Sequence, residues 1–398
     1  MKRLTVCLLA GAVLAGMLSV LPAHADDGAL VSEDGLYRAI DYGDGNVSVM
    51  LEDKTVEEAE IPEEIGGHRI TSIEVDGFKD AEHLRRVTLP PTLTMIDDYA
   101  FMNCTSLEEI VLPETVTNLG WESFCNCASL REVTIPAAVE EIEEFVFEGC
   151  ASLEAIHVDG KNQHYKDLDG VLFNIEGTTL IRYPSAKEDA VYTLPAGCVR
   201  IEDFAFIGNT HMQQIEGMMQ IKELGEDAFY GCTALTTIEL PDGITELTRS
   251  TFGTCEALRT VRLPADLTSI GFGAFYGCYA LESIELPESV TTIGDAAFYN
   301  CPHLSRVAIG PQVTSIGKMA FGFYGDGENN ERLPGFEIDA RQGTAAFDYC
   351  AENSIACTGG ITQGIVFVYI VLGVVAFVVI ATIVIIIVRR RVAKRYEL

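Results

Sequence analysis

Basic side chains are scarce in this chain of 398 residues, which has 27 Lys plus Arg against 59 Asp plus Glu. Residues 26–360 hold 20 of the bases and 58 of the acids, a net charge of −38. A body with this charge repels phosphate backbones, which excludes nucleic acid as a main partner. The composition is nevertheless 48% hydrophobic, with 19 Phe and 14 Tyr, and this excludes an intrinsically disordered chain.

Histidine and the common catalytic motifs are also scarce. Six His follow residue 25, and none forms His-Glu-x-x-His or another metal pattern. The sequence has no Gly-x-Ser-x-Gly and no phosphate-binding Gly-x-x-x-x-Gly-Lys. The close pair Cys125 and Cys127 has no second pair or His at zinc-ligand spacing. We therefore expect no enzyme activity, no cofactor and no metal.

Long uncharged stretches mark the two ends of the chain. Residues 1–25 have a basic start, an apolar stretch and Ala23-His-Ala25, which predicts a signal peptide. Residues 365–388 carry no charge and Arg389-Arg-Arg391 follows, which predicts a transmembrane helix at 361–388 and a basic cytoplasmic tail at 389–398. The sequence thus predicts a single-pass protein of the cell membrane, with its N-terminal body outside.

A 23-residue period fills the body of the chain. Each unit reads roughly Cys-x-x-Leu-x-x-Ile-x-Leu-Pro-x-x-Val-x-x-Ile-Gly-x-x-Ala-Phe-x-x. The cysteines of the period are Cys104, Cys127, Cys150, Cys232, Cys255, Cys278 and Cys301, with Asn209 in the same position once. Ten of the 19 Phe share one position: Phe78, Phe101, Phe124, Phe147, Phe206, Phe229, Phe252, Phe275, Phe298 and Phe321.

Each unit suits one coil of a solenoid. Ile-x-Leu and Val-x-x-Ile fit short strands, Pro ends the first strand because it lacks an N–H, and Ala-Phe fits a short helical turn. One coil cannot bury its own apolar face, but stacked coils share a continuous core. The predicted fold class is a β-rich leucine-rich repeat solenoid over residues 58–323, with parallel short strands, short helical turns and about eleven coils.

The period breaks once, between Cys150 and Asn209. Two strand-like runs around Gly177 predict a hairpin inserted near residues 160–185. Residues 26–57 predict a β-hairpin that caps the open end of the core. Residues 324–360, with a short helical run from Thr344 to Asn353, predict a C-terminal cap and stalk.

These features resemble the BspA-like leucine-rich repeat family over roughly residues 33–357. The resemblance rests on the 23-residue unit, on the segments 61–73 and 169–184, and on the closing Gly343-Thr-Ala-Ala-Phe347. It implies a curved solenoid on a microbial cell surface, where relatives bind host matrix proteins or other cells. No catalytic or binding residue of the family can be assigned to this chain by its position. The predicted membrane helix departs from the sortase signal or secreted end of some relatives.

Eleven Cys remain after the predicted signal peptide. We expect the seven periodic ones to be buried, reduced thiols that meet backbone groups at a corner, although stacked neighbours about 5 Å apart could bridge. A disulfide between Cys350 and Cys357 in the C-terminal cap stays open.

Acidic residues recur just after the repeat Gly. We expect them to accept N–H bonds at the start of the helical turn, with a cation-binding or repulsive stripe as the alternative. They are Asp98, Glu144, Asp203, Glu226 and Asp295. The polar segment 326–331 predicts a loop, with a calcium site as the alternative.

The leading functional hypothesis is an adhesin-like or receptor-like binding protein of the bacterial surface, whose partner is an extracellular protein or glycan. Tyr and Trp have large apolar faces with a polar tip, which suits interfaces and sugar rings. The candidate binding residues are Trp121, Tyr230, Tyr276, Tyr279 and Tyr299. The alternatives are a structural envelope protein without a dedicated ligand and, least favoured, a polysaccharide-acting enzyme, which would need clustered carboxylates.

Overall fold

The computed structural model describes residues 30–43, 45–327 and 329–359. Over these ranges the chain forms a β-solenoid of about 13 turns, slightly more than the eleven predicted. Each full coil contributes one strand to each of two rows, except that the coil containing Ile284 has none in the first row. In the regular coils the parallel pairs join residues 23 apart, as in Thr237 with Thr260 and Ser269 with Thr292. The sequence period is therefore the register of the sheets.

The first strand row follows the repeat Cys-x-x-Leu, and its strands form five short parallel sheets. Within a strand the apolar residue points into the core and its neighbours face solvent, as in the buried Val87 between the exposed Arg86 and Thr88. The strands are Glu58–Glu60, Arg86–Thr88 and Glu109–Ile110; Glu132–Ile135 and Ala155–Val158; Val191–Thr193 and Gln214–Glu216; Thr237–Glu239 and Thr260–Arg262; and Arg306–Ala308, Glu337–Asp339 and Ala356–Cys357.

The second strand row precedes the repeat Gly and forms three sheets. The first sheet contains Leu30–Val31, Tyr37–Asp41, Val47–Leu51, Ser72–Ile73, Met95–Ile96, Asn118–Leu119 and Glu141–Ile142. The second contains Tyr165–Leu168, Val171–Asn174, Thr179–Arg182, Arg200–Ile201 and Glu223–Leu224, and the third contains Glu246–Leu247, Ser269–Ile270, Thr292–Ile293 and Ser315–Ile316.

Hairpins and one helix close the two ends of the core. Tyr37–Asp41 pairs antiparallel with Val47–Leu51 in the predicted N-terminal hairpin, and Val49 continues into the first coil opposite Ile73. A second small hairpin joins Glu64–Ile65 to His68–Arg69. At the other end, Phe323–Gly325 pairs with Asn330–Arg332. The helix Ala345–Asn353 starts at Thr344, whose side chain accepts the Phe347 N–H.

The corner that carries the repeat Phe is not the predicted helical turn. Residues two places before and two places after the Phe are left-handed, as in Tyr99 and Asn103 with φ of 58° and 62°. The alternation stops a helix and turns every second N–H toward the next coil. The N–H groups of Tyr99, Phe101 and Asn103 therefore donate to the carbonyls of Trp121, Ser123 and Cys125. Among the described residues, the 3-10 turn Met218–Gln220 is the one short helix.

The repeat Phe side chains form the centre of the core. Neighbouring rings lie about one coil apart, for example 5.0 Å between Phe275 and Phe298. The stack runs from Phe78 to Phe147 and resumes at Tyr183 and Phe206. The buried apolar residues accordingly form two clusters, one ending near Leu172 and one starting near Val171.

The predicted fold class and localisation are corrected in one respect. No helix within the described ranges is long and apolar enough to span a membrane. The helix Ala345–Asn353 has nine residues, about 14 Å against a hydrocarbon core of about 30 Å. The transmembrane helix is therefore removed from the predicted fold class, and the prediction of a single-pass localisation is wrong on this finding. The segments predicted as signal peptide, membrane helix and basic tail lie outside the described residues.

Candidate binding surface

The predicted tyrosine patch lies on one ridge of the solenoid. The rings of Tyr276 and Tyr299 stack in parallel on consecutive coils, with centroids 5.6 Å apart. The ring of Tyr230 extends over Gly253, where an added Cβ would lie 2.7 Å from it. Tyr279 is 43% exposed. The structure thus brings four of the predicted residues to the same part of the molecule.

Tyr299 is the exception within this patch, because it offers almost no surface. It is 3% exposed, and its hydroxyl donates to Asn330 Oδ1 in the C-terminal hairpin. No pattern in the sequence indicated that this hairpin would cover the ring. Contact area on this ridge is left to the exposed Tyr279 and to the half-buried Tyr230 and Tyr276.

Trp121 lies apart from the tyrosines, in a second set of rings that we name the outer aromatic row: Tyr99, Trp121, Phe145 and Phe204. The ring of Trp121 meets Tyr99 and Phe145 edge to face, at 5.2 and 5.8 Å. Phe145 lies 4.4 Å from Phe204. Phe145 and Phe204 are 59 residues apart in sequence, so the row crosses the break in the repeat. Tyr99, Phe145 and Phe204 were not among the residues predicted from the sequence, although all three precede the repeat Phe by two places.

A cleft of about 410 Å³ opens where the row crosses the break. We name it the break cleft. Its apolar wall is formed by Phe145, Tyr165, Ile181 and Phe204, all of them half-buried. The break creates this concavity because the inserted strands 165–182 replace a regular coil between Phe147 and Phe206. Its size and its apolar lining are those of a ligand site.

Arg182 lies in the wall of the break cleft and joins the two halves of the solenoid. Its terminal nitrogens donate to the carbonyls of Phe204, at 2.8 Å, and Phe147, at 2.9 Å. Its Nε is buried without a hydrogen-bond partner. Burial lowers the pKa of this guanidinium, an effect that the nearby charge of Glu148 opposes. Arg182 therefore connects the corner of Phe147 with that of Phe204 across the break.

Carboxylates surround the mouth of the break cleft: Glu143, Glu144, Glu202 and Asp203. Glu202 pairs with Arg200 at 2.7 Å. Partial burial raises the pKa of Glu143, and the charges of Glu141 and Asp98 raise it further. The mouth therefore carries a local excess of negative charge, since within the described ranges neither Glu143 nor Glu144 forms an ion pair.

The acidic residues just after the repeat Gly follow the prediction in part. Asp98, Asp203 and Asp295 accept backbone N–H bonds of 2.7 to 2.9 Å, but the donors are Trp121, Glu226 and Lys318 in the following coil. The repeat Gly follows from this contact, because an added Cβ at Gly120 would lie 2.6 Å from Asp98 N. These carboxylates connect coils rather than begin a helix.

The polar segment 326–331 begins between the paired strands Phe323–Gly325 and Asn330–Arg332, where Asp326 accepts the Asn329 N–H at 2.8 Å, and its last two residues belong to the second strand. Over the part of the chain that the structure covers, no group of three or more His, Cys, Asp or Glu could hold a metal ion. The described residues therefore offer no such set of side-chain ligands for the alternative calcium site.

All seven periodic cysteines are free and buried, as predicted. Each thiol donates to the carbonyl of the repeat Phe 26 residues earlier, at 3.1 to 3.3 Å, as Cys255 does to Phe229. Burial raises the pKa of each of these thiols. Asn209 fills the same position and donates to the carbonyls of Pro184, Ser185 and Lys187. Cys350 and Cys357 are also free thiols.

Comparison with known proteins gives a family and a fold. The BspA type leucine rich repeat region matches residues 52–168 and 193–324 in six copies, which is more than half of the chain. The gap between the two ranges contains the strands Val171–Asn174 and Thr179–Arg182. No protein with a curated description matches the sequence at a significant level.

Solved structures of bacterial repeat proteins are similar at low identity. The pneumococcal vaccine antigen PcpA has a TM-score of 0.57 and 18% identity, over 83% of this chain and 98% of that chain. A leucine rich cell surface protein from Faecalibacterium prausnitzii has a TM-score of 0.48 and 23% identity, over 85% and 100%. A leucine-rich repeat protein from Eubacterium ventriosum has a TM-score of 0.46 and 23% identity, over 68% and 94%. The likeness to PcpA supports the solenoid fold and nothing finer.

Proposed function

The chain belongs to the BspA-type leucine-rich repeat family, and from that premise we propose that it is a non-catalytic recognition protein of the bacterial cell surface, which binds an extracellular protein or glycan. Repeat solenoids present extended surfaces that are used for binding. The strongly acidic body is suited to recognition of a partner by charge.

The break cleft is the observation that carries this proposal. In a regular solenoid each coil repeats the surface of its neighbour, whereas the break cleft is a single concavity with an aromatic wall and a charged mouth. Rings of this kind provide binding energy where they are partly exposed beside polar groups. The tyrosine ridge around Tyr276 and Tyr279 is the second surface on which a partner would find such rings.

A binding panel tests the proposal directly. The purified full chain is applied to immobilised extracellular matrix proteins and glycans, with heat-unfolded chain as the control for nonspecific adsorption. Saturable binding of the folded chain alone is the expected result. Absence of binding to every member of the panel would favour a structural envelope role instead. Release of new reducing ends from the glycans would favour the enzyme alternative.

A further inference from the structure

We propose that the break cleft binds a lysine or arginine side chain from an extended basic segment of a partner protein. This inference deepens the proposed function and rests on it, because it names the chemistry that the recognition site selects.

The outer aromatic row already holds one cation of this kind. The ammonium group of Lys79 lies over the ring of Tyr99, 4.9 Å from its centroid, and pairs with Asp76 Oδ1 at 2.8 Å. An aromatic face combined with a carboxylate is a favourable environment for an ammonium or guanidinium group. The chain therefore displays, at one end of the row, the contact that we propose for the other end.

The break cleft repeats the rings and the carboxylates, and two cations of the chain, Arg182 and Arg200, also line it. Phe145 and Phe204 provide rings 4.4 Å apart, and Glu143 and Glu144 provide carboxylates. The nearby Arg200 is engaged with Glu202 and Glu223 at 2.7 and 2.9 Å. A cation from a partner would complete the arrangement and relieve the repulsion from Glu141 and Asp98, which adds to the effect of partial burial on the pKa of Glu143.

The inner wall of the cleft is compatible with the rest of such a ligand. Ile181 and Tyr165 form an apolar surface along which the aliphatic stem of a Lys or Arg can pack. Arg182 opposes a partner cation, but its terminal nitrogens are turned to the carbonyls of Phe147 and Phe204. The four carboxylates of the mouth also outnumber the two Arg that line the cleft. An anionic ligand would instead meet the four carboxylates at the mouth.

The test uses two fluorescent peptides and the full chain. The probe is acetyl-hexalysine-amide, and the control peptide is the same sequence with every Nζ acetylated, which removes the charge but keeps the length. We expect saturable binding of the probe, measured by fluorescence anisotropy, and a loss of about tenfold or more in affinity for the acetylated peptide.

Paired variants separate the cleft from the general negative charge of the body. Glu143→Gln with Glu144→Gln removes two charges at the mouth, and Glu114→Gln with Glu288→Gln removes two exposed charges elsewhere. Phe204→Ser removes one ring, and the left-handed backbone accepts Ser because Ser250 has φ of 44° in the same position. Met319→Ser is its control in the same column. We expect about tenfold weaker binding for the cleft variants and less than about twofold for the controls.

Three outcomes would overturn the inference: no saturable binding of hexalysine, equal binding of the acetylated peptide, or equal losses in the cleft and control variants. The proposed function is tested separately by the panel. If a matrix protein or glycan binds the native chain and all four variants equally, the cleft assignment fails while the recognition role stands. If the panel gives no binding, the recognition role fails whatever hexalysine does.

Discussion

Partial burial raises the pKa of Asp97 to about 6, and the carboxylates of Glu74 and Asp98 add to the rise. An Asp in the unfolded chain titrates near pH 3.9, so the folded state holds the proton more tightly. This group therefore stabilises the fold most below about pH 4, and that contribution is lost as the pH rises from about 4 to about 6. At neutral pH the buried charge is a local source of instability.

We expect Asp97→Asn to raise the melting temperature at pH 7 and to leave it nearly unchanged at pH 4, because the amide removes a charge that is ionised only at the higher pH. Thermal unfolding followed by circular dichroism at both values is the measurement. Asp242→Asn makes the same change at an exposed site and serves as the control. A gain at pH 4 as large as the gain at pH 7 would contradict the assignment to titration of Asp97.

Individual residues show where prediction from the sequence stops. The repeat Phe and the buried Cys could be assigned from their period alone. The left-handed positions could not, since they hold Tyr99, Phe145 and Met319 with φ between 52° and 61°, whereas that conformation usually selects Gly, Asn or Asp. Tyr99, Phe145 and Phe204 of the outer aromatic row occupy these positions, and they were not predicted for the same reason.

At the scale of one coil, the repeat Phe is the central packing element. Phe252 is fully buried between the rings of Phe229 and Phe275, at 5.4 and 5.5 Å. We expect Phe252→Ala to lower the free energy of unfolding by about 3–5 kcal/mol, because it leaves a ring-sized cavity. Chemical denaturation measures this loss.

The chain offers a matched control for that variant. Phe272 lies one coil away and is 56% exposed, so Phe272→Ala should change the stability by less than about 0.5 kcal/mol. Similar losses of stability in the two variants would show that the loss does not depend on burial of the repeat Phe.

The cysteine column is a second element with a direct test. We expect the full chain, denatured without reductant, to expose at least the seven thiols that donate to Phe carbonyls. Those thiols are sheltered from exchange in the fold, because burial raises their pKa and removes the reactive thiolate. Titration with a thiol reagent gives the number. A count below about four would show that neighbouring coils are cross-linked.

The strand rows were the most predictable element, and the corners were the least. A period of 23 residues fixes which strands pair and in which register, because stacked coils place equivalent residues side by side. The corner depends on φ values and on N–H bonds between coils, neither of which a single unit reveals. The predicted helical turn is replaced there by left-handed residues. The predicted carboxylates do accept N–H bonds, but the donors lie in the following coil and not in their own turn.

At the scale of the molecule, the break divides one solenoid into two cores. The buried apolar clusters meet near Val171 and Leu172, and Arg182 links the carbonyls of Phe147 and Phe204 across the junction. In a solenoid each unit contacts only its neighbours, so stability depends on every junction in turn. The junction at the break contains the buried charge of Arg182, and removing one partner of such a network is strongly destabilising.

We expect Arg182→Ala to uncouple the two cores. Trp121, the single Trp of the chain, lies in the first half and reports that half by fluorescence, while far-ultraviolet circular dichroism reports both. In the native chain the two denaturation curves should coincide, and in the variant they should separate. Arg259→Ala, which removes an exposed Arg, should leave them coincident. Coincident curves in Arg182→Ala would show that the junction does not depend on this residue.

The break itself could be located from the sequence, but its consequence could not. The interruption of the period between Cys150 and Asn209 predicted an insertion, and strands at 171–174 and 179–182 form the hairpin there. Phe145 and Phe204 can touch only because the inserted strands leave the ridge. No local pattern in the sequence encodes this departure. The break cleft is therefore a property of the assembled coils.

The cysteine column also has a kinetic consequence. A sulfhydryl that is inert in a closed coil has an ordinary pKa near 8.5 while the chain is unfolded, and it is then open to oxidation. In an oxidising medium, folding competes with the formation of wrong disulfides, which would hold coils out of register. Coil closure is local in sequence and hence fast, which protects each thiol in turn. Lengthening the solenoid by further coils would add one vulnerable thiol per coil, so the yield of correctly folded protein would depend on the speed of closure rather than on the final stability.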